Sequence, residues 1–247
     1  MIDRRSFLFA SLTTLVAGRA RAAVSLDETI TDLEQLGRFE HVAGKPGTVV
    51  GVPHGTADSG TLEAGRILCK RLGAGGVLVT GFWDPETRRR INVNRETEEL
   101  IGQHSEVLRQ WKSPRAVAAN ARYTALVKET AQGPLKVFYE LHSNHRTEFV
   151  DSIEVSTLGV TRGEAMRLKN AFLAARDRLG ADVPRLAMHV SPVDKVTFPN
   201  YARATSISEV AAKGCAIEHP GRIFDHQPWR VAYGNCVADA ISAAEWK

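Results

Sequence analysis

The sequence predicts a three-layer α/β sandwich in which helices cover both faces of a central mixed, largely parallel sheet. Along its 247 residues, short apolar runs of strand length alternate with longer segments whose apolar residues recur at helical spacing. The short runs are apolar throughout, which is typical of strands buried on both faces. Hydrophobic residues make up 43% of the chain and charged residues 24%, as in soluble globular proteins. We therefore expect one α/β domain over residues 23–247.

Residues 1–22 have the pattern of a bacterial export signal. A basic start precedes the apolar run Phe7–Ala17, and Ala20–Ala22 forms a small-x-small cleavage site. The apolar run is shorter than the roughly 20 residues that span a bilayer. Arg4 and Arg5, followed by "SFL", resemble a twin-arginine signal, and an ordinary secretory signal with two arginines is the alternative. We expect a periplasmic or secreted mature protein without stable membrane insertion.

The positive charge of the chain is concentrated in this signal. Removing residues 1–22 removes four arginines and one aspartate, which lowers the formal net charge from +4 to about +1. No run of lysines and arginines with interleaved aromatic residues is present. The composition therefore does not indicate a nucleic-acid partner, and it leaves the oligomeric state open.

The three cysteines, Cys69, Cys215 and Cys236, are an odd number for an exported protein. At most one internal disulfide can form, and Cys215–Cys236 is the pair to test. Their spacing fits neither a zinc ribbon nor a CxxC redox motif, so small buried thiols are the favoured interpretation.

The first half of the domain contains two predicted strands. Leu26–Phe39 has apolar residues at helical spacing and leads to the turn "GKPG". Thr48–Pro53 follows as a short buried strand, and Ser59–Leu72 as a helix that stops at a glycine. Gly76–Trp83 is a second buried strand. After it, residues 84–99 form a polar, arginine-rich segment that we expect to be a loop.

The second half of the domain continues the alternation. Ala116–Thr130 is alanine-rich and helical, Lys136–Leu141 is a third strand, and Thr161–Leu179 is a long amphipathic helix. Weaker patterns predict strands at Leu186–Val190 and Gly214–Glu218 and a last helix at Cys236–Trp246. This order favours the sandwich over an all-α or all-β fold.

Three apolar runs lead directly into ionisable residues. "VVGVPH" and "KVFYELH" end on His54 and His142, and "GCAIEH" brings Glu218 to the end of a late strand. In open α/β sheets, ligands bind beyond the carboxyl ends of the strands. We therefore expect these side chains to converge on one rim of the sheet.

His54, Asp58 and His142 form a predicted metal site. His54 and Asp58 are close enough in sequence to bind one ion, and His142 can add a third ligand from a neighbouring strand end. Two imidazoles and one carboxylate leave an open coordination position, as in catalytic zinc sites that hold a water. The alternative is that His54 only caps a helix or lies at the edge of the core. We predict one zinc ion.

The remaining candidates surround this site. Glu218 is suited to act as a general base beside a metal, although a salt bridge to an arginine is the alternative. Asn94 and Arg95 could anchor a substrate carboxylate, or they could lie on a solvated loop. His145 and Arg146 follow the predicted ligand His142; either could polarise the scissile carbonyl, and for His145 a role in orienting a ligand is favoured.

The order of these motifs resembles that of zinc carboxypeptidase-like hydrolases. His-x-x-x-Asp after a strand is followed about forty residues later by Asn-Arg, then by "ELHS" and a late strand-end glutamate. Among these hydrolases the chain looks most like the N-formylglutamate amidohydrolase group, whose members carry "PH" with small residues, a "VNR"-type segment and a "DLHS"-type segment. The stretch "HGTADSGTLE" is similar to the start of phage poly-γ-glutamate hydrolases.

The resemblance covers roughly residues 49–220 and implies a role for each motif. It implies that His54, Asp58 and His142 bind zinc, that Glu218 is the general base, and that Asn94 and Arg95 bind a substrate carboxylate. In two places the sequence differs from the family.

The family's peptidases place a glutamate three residues after the first histidine, where this chain has Ala57 and then Asp58, so Glu63 is a second candidate for the carboxylate ligand. Asn92 stands where the amidohydrolases often have an aspartate.

The expected function is a zinc-dependent amidohydrolase or carboxypeptidase-like hydrolase. Its substrates would be small amides or peptides with a free carboxylate, such as N-acyl or γ-glutamyl amino acids or cell-wall peptides. A catalytically inactive periplasmic binding protein for carboxylated ligands is the alternative, because binding does not require Glu218. A serine or cysteine hydrolase is disfavoured, since the chain has no Gly-x-Ser-x-Gly motif and no cysteine at a strand exit.

Overall fold

The computed structural model describes residues 33–103, 106–146, 150–197 and 210–246. The export signal predicted at residues 1–22 lies outside these ranges, as does the first half of the segment Leu26–Phe39. Among the described residues, no helix is both long enough and apolar enough to cross a membrane.

The strands and main helices alternate as the sequence predicts. The strands are β1 (Gly37–Val42), β2 (Lys45–Val52), β3 (Ala74–Gly81), β4 (Trp83–Asp84), β5 (Arg89–Asn92), β6 (Thr97–Ile101), β7 (Val107–Lys112), β8 (Val137–Asn144), β9 (Ser152–Leu158), β10 (Ala187–Val190) and β11 (Lys213–Pro220). The helices are α1 (Thr61–Leu72), α2 (Pro114–Ala131), α3 (Arg162–Arg176), α4 (Gly221–Asp225) and α5 (Gln227–Ala244).

Seven strands form the large sheet, in the order β1-β3-β2-β8-β11-β9-β10. β3, β2, β8 and β11 are parallel neighbours, and β9 and β10 are parallel to each other. β1 and β9 run antiparallel to β3 and β11. The sheet is therefore mixed and mostly parallel, and β2, β8 and β11 end at the same edge.

Helices cover the large sheet on both faces. Along β8, Tyr139 points into a core formed with α1, α3 and α5, and its neighbour Phe138 points into a second core with α2. Both side chains are almost completely buried. This alternation explains why the strand begins with an uninterrupted apolar run, Val137–Tyr139. The predicted three-layer sandwich is confirmed.

The arginine-rich segment at residues 84–99 is not the predicted loop. It contributes β4, β5 and most of β6 to a four-stranded antiparallel sheet, the small sheet, in the order β4-β5-β6-β7. Its strands are held by cross-strand ion pairs: Arg90 faces Glu99 in register and bonds to it at 2.7 Å. On the other face, Arg89 bonds to Glu98 at 2.8 Å. The charges that indicated a solvated loop are the pairs that stabilise this sheet.

Smaller differences lie at the ends of the chain. Residues 33–36 of the predicted first helix are helical, but Gly37–Val42 forms β1 at the edge of the large sheet. The last helix begins at Gln227, nine residues before the predicted start, and β9 was not predicted. Strong apolar periodicity was needed for detection, and these segments lack it.

The three cysteines are free and buried. Burial raises the pKa of each thiol, to about 12 for Cys69 and Cys236. The Cys215–Cys236 disulfide that the sequence left open is therefore not formed in this structure, and the thiols are small core residues.

Candidate metal centre and active site

His54, Asp58 and His142 lie together at the carboxyl edge of the large sheet. His54 follows β2, and a turn closed by the Asp58 amide donating to the His54 carbonyl at 2.7 Å brings the carboxylate back beside the imidazole. Asp58 Oδ2 lies 3.4 Å from His54 Nδ1 and 3.2 Å from His142 Nδ1. One ligand atom from each residue lies within 4.8 Å of the other two. We call this group the His-Asp-His cluster.

The electrostatics of the cluster favour the protonation states that bind metals. Burial, and then the positive charge of Arg90, lowers the pKa of His54 to about 4. Burial alone would raise the pKa of Asp58, but the charge of His54 and hydrogen bonds from both histidines lower it below its usual range. At neutral pH the cluster therefore offers a neutral His54 imidazole and an ionised Asp58.

A second observation indicates that the cluster could bind a divalent metal. His54 Nε2 is buried and has no hydrogen-bond partner among the described residues, which is costly unless another group satisfies it. Imidazole and carboxylate ligands suit zinc and other divalent first-row metals. The three residues therefore form a potential metal site with room for further ligands.

Glu140 and Asn94 support His142 from behind. His142 Nε2 lies 2.8 Å from Glu140 Oε1, and Asn94 Nδ2 donates to the same oxygen at 2.9 Å. The two ring nitrogens of His142 therefore face two carboxylates, Nε2 towards Glu140 and Nδ1 towards Asp58, and in the tautomer that binds a metal through Nδ1 the proton is on Nε2 and is donated to Glu140. A carboxylate that orients a metal-binding histidine in this way is common in metal sites. Glu140 was not among the predicted site residues, although its place two residues before His142 on β8 puts both side chains on one face of the sheet.

Glu218 lies beside the cluster because of strand register. On β11 it is paired with His142 of β8, so both side chains point to the same face of the large sheet. Glu218 is 9% exposed and lines the same cavity as the cluster. The structure therefore brings together all four side chains at one site.

The cavity over the cluster has a volume of about 410 Å³ and is rich in charge. Four arginines and three carboxylates of the described residues line it: Arg88, Arg90, Arg95, Arg146, Asp58, Glu99 and Glu218. Its size is within the range of small-molecule sites. The surplus of arginines favours ligands that carry a negative charge.

The other predicted site residues divide into two groups. Arg95, His145 and Arg146 line the cavity, and His145 Nε2 also lies 3.1 Å from Asp225 Oδ2 at its rim. Asn94 does not line it. The predicted direct contact of Asn94 with a substrate disagrees with its position, because its amide is buried against Glu140.

Glu63 also lies apart from the cluster. Glu63 lies in the first turn of α1, where its Oε2 accepts a hydrogen bond from Arg230 Nε at 2.6 Å. The cluster contains Asp58 and not Glu63, so Asp58 is the carboxylate that could bind a metal together with the two histidines.

Arg90 is a further site residue that the sequence analysis missed. Its Nη1 lies 3.6 Å from Asp58 Oδ1, and its Nη2 bonds to Glu99 at 2.7 Å. The guanidinium thus spans from the small sheet to the cluster. The only signal was the alternation of Arg90 and Asn92 on one face of β5, which cannot be recognised while the segment is taken for a loop.

Comparisons with known proteins support the fold. No protein-family model matches the sequence, and neither does any curated protein. A bacteriophage poly-γ-glutamate hydrolase is 14% identical with a TM-score of 0.51, over 86% of this chain and 94% of that one. A gene product of Agrobacterium tumefaciens is 15% identical with a TM-score of 0.51, over 85% and 95%. Carboxypeptidase A from Helicoverpa armigera is 12% identical with a TM-score of 0.41, over 89% and 72%.

The first two of these structures share the architecture of this chain over most of its length. The predicted resemblance to phage poly-γ-glutamate hydrolases is confirmed at the level of the fold. At such low identity the chemistry depends on the residues of this chain alone.

Asp58→Asn should abolish stoichiometric metal binding, because the amide removes the negative charge between two imidazoles. Glu63→Gln is the matched control and should keep the metal content of the wild type, since Glu63 pairs with Arg230. Elemental analysis of both zinc-loaded proteins, with circular dichroism to verify folding, measures the difference. Equal metal content in the two variants would show that the His-Asp-His cluster does not bind the metal.

Glu140→Gln should weaken metal affinity by roughly 10- to 100-fold, because the amide no longer fixes the proton on His142 Nε2. Glu98→Gln replaces another buried carboxylate, one that pairs with Arg115 and Arg89 in the small sheet. It should leave metal affinity within a few-fold. Competition with a chelating dye gives both affinities, and an unchanged value for Glu140→Gln would rule out its orienting role.

Proposed function

We propose that this protein is a zinc-dependent hydrolase of amide bonds in small amides or peptides that carry a free carboxylate. N-acyl amino acids, γ-glutamyl amino acids and cell-wall peptides are the substrate classes. The observation that carries the proposal is the placement of Glu218 in one cavity with the His-Asp-His cluster and several arginines.

His54, Asp58 and His142 hold the zinc ion in this proposal. Bound zinc lowers the pKa of a water and polarises a carbonyl oxygen. The neutral state of the buried His54 and the ionised state of Asp58 keep the ligands ready to bind at neutral pH. Glu140 and Asn94 keep His142 in the orientation that presents Nδ1 to the cluster.

Glu218 moves the proton. Its carboxylate accepts a proton from the attacking water and passes it to the leaving nitrogen, so that one water and one amide give a carboxylic acid and an amine. Its position beside His142, fixed by the pairing of β11 with β8, keeps the carboxylate on the cavity side of the sheet.

The arginines bind the charged ends of the substrate and of the reacting group. Arg95 pairs with the free carboxylate, for which its planar guanidinium offers two parallel hydrogen bonds. Arg146 follows β8 next to the cluster and stabilises the negative charge that develops on the scissile carbonyl oxygen. His145 lines the cavity, and its Nε2 lies 3.1 Å from Asp225 Oδ2, so that its ring is positioned to contact the substrate.

Glu218→Gln should lower kcat by about 10²- to 10⁴-fold while zinc content and KM stay close to wild type, because only proton transfer is lost. The assay uses zinc-loaded protein with N-formylglutamate, N-acetylglutamate and γ-glutamyl dipeptides. Glu154→Gln is the matched control: Glu154 is paired with Glu218 on the neighbouring strand but does not line the cavity. It should keep kcat within a few-fold.

The same experiment decides between a hydrolase and a binding protein. A zinc-loaded wild type that binds these amides without turnover, with the same affinity in Glu218→Gln, would contradict the hydrolase and support a binding protein for carboxylated ligands.

We also propose export through the twin-arginine route, on the basis of residues 1–22 alone. In a bacterial host, the mature protein should be recovered outside the cytoplasm and begin at Ala23 by amino-terminal sequencing. Replacing Arg4 and Arg5 with lysine should stop export. Undiminished export of this variant would indicate the ordinary secretory route instead.

A further inference from the structure

The cavity over the His-Asp-His cluster has one apolar side. Trp83 of β4, Ile101 of β6 and Val107 of β7 line it, and all three belong to the small sheet. Val107 is 46% exposed and Trp83 is partly exposed, so apolar surface faces solvent inside a cavity whose other walls are charged. Such surface favours an apolar ligand group that displaces the water.

These residues form one continuous surface together with Arg88. The Arg88 guanidinium lies over the Trp83 ring, with 5.9 Å from Cζ to the ring centroid. Its Nε donates to the Ile101 carbonyl at 2.8 Å, and Ile101 is paired in register with Val107. We call Trp83, Arg88, Ile101 and Val107 the apolar wall.

Arg88 belongs to this wall although it carries a charge. Its guanidinium donates to the carbonyls of Ile101 and Gly102, and the Arg88 carbonyl accepts from the Ile101 amide at 3.0 Å. The charge is therefore already satisfied by backbone oxygens. The aliphatic part of the Arg88 side chain can then add apolar surface next to the Trp83 ring, over which its guanidinium lies.

The register of the small sheet fixes the wall beside the cluster. Trp83 pairs with Arg90, and Arg90 pairs with Glu99, so these three point to the same face. Ile101, two residues after Glu99, shares that face. Arg90 lies on this face too, and its Nη1 is 3.6 Å from Asp58 Oδ1. Arg90 therefore connects the apolar wall to the His-Asp-His cluster.

We infer that the apolar wall is a specificity subsite for an apolar acyl chain or aromatic group next to the scissile amide. The inference rests on the proposed function and narrows its substrate class to amino acids N-acylated with such a group. The apolar group packs against Trp83 while the free carboxylate meets the arginines elsewhere in the cavity. An acyl group as small as formyl makes little contact with the wall.

The test measures binding as a function of acyl-chain length. The probes are N-formyl-, N-acetyl-, N-butanoyl- and N-hexanoyl-L-glutamate, and the protein is the zinc-loaded mature chain carrying Glu218→Gln, so that no probe is consumed. Affinity should rise about four-fold per methylene until the wall is covered, which is the hydrophobic transfer of each group. Isothermal titration calorimetry gives the dissociation constants.

Trp83→Ala should reduce this gain to less than two-fold per methylene and leave N-formylglutamate affinity nearly unchanged. Trp111→Ala is the matched control, because Trp111 pairs with Glu98 on the opposite face of the same sheet, against Arg89 and Arg109. It should keep the full chain-length dependence. A wild-type series without chain-length dependence, or equal losses in both tryptophan variants, would overturn the inference.

Val107→Asp keeps the test decisive if Trp83→Ala does not fold. The residue is exposed enough to accept the substitution, and a carboxylate on the wall should weaken N-hexanoylglutamate by at least ten-fold more than N-formylglutamate. Equal weakening of the two probes would also overturn the inference.

The results distinguish an error in the proposed hydrolase activity from an error in the proposed apolar subsite. Wild-type protein that never cleaves the probes but binds them with the expected chain-length dependence would refute the activity and retain the subsite. Cleavage of all four probes by the wild type at equal kcat/KM would support the hydrolase activity and refute the apolar subsite.

Discussion

Burial of the Asp58 carboxylate is the constraint on which the site depends. An ionised acid that is 5% exposed is costly unless charges and hydrogen bonds compensate it. His54 and His142 approach one of its oxygens and Arg90 approaches the other. The three partners come from the β2 exit, β8 and the small sheet, so the carboxylate ties together separate parts of the fold. A divalent cation would further stabilise the Asp58 carboxylate. Loss of any of the three partners would leave a buried negative charge without full compensation, which destabilises the fold.

The two sheets contribute different things to the cavity. The large sheet delivers His142 and Glu218 side by side, because the parallel pairing of β8 and β11 places equal positions on one face. The small sheet and the turn next to it contribute Arg90 and the apolar wall to the lining of the same cavity. Side chains on the strands of a doubly covered sheet are held rigidly, which would suit the proposed roles in metal binding and proton transfer. The hairpin strands carry the surfaces that would distinguish one substrate from another, as connecting segments commonly do.

Three buried acids, Glu98, Glu99 and Glu140, lie near the site without belonging to the His-Asp-His cluster. Glu140 is fixed between Asn94 and His142, Glu99 holds Arg90, and Glu98 ties the small sheet to α2 through Arg115. Each acid is buried and each has a cationic or polar partner, which is the condition under which buried charges are tolerated.

The sequence by itself determined the sandwich and the identity of the metal-binding candidates. A mostly apolar run such as "KVFYEL" is typical of a strand buried on both faces, and a histidine directly after it is expected at the edge of the sheet. The tertiary structure alone decided the rest. The small sheet, the role of Glu140, the removal of Asn94 from the cavity and the choice of Asp58 over Glu63 all depend on partners far away in the chain. Local pattern records burial and periodicity, whereas a charged residue's role is set by the partner that compensates it, and that partner is found only when distant segments meet.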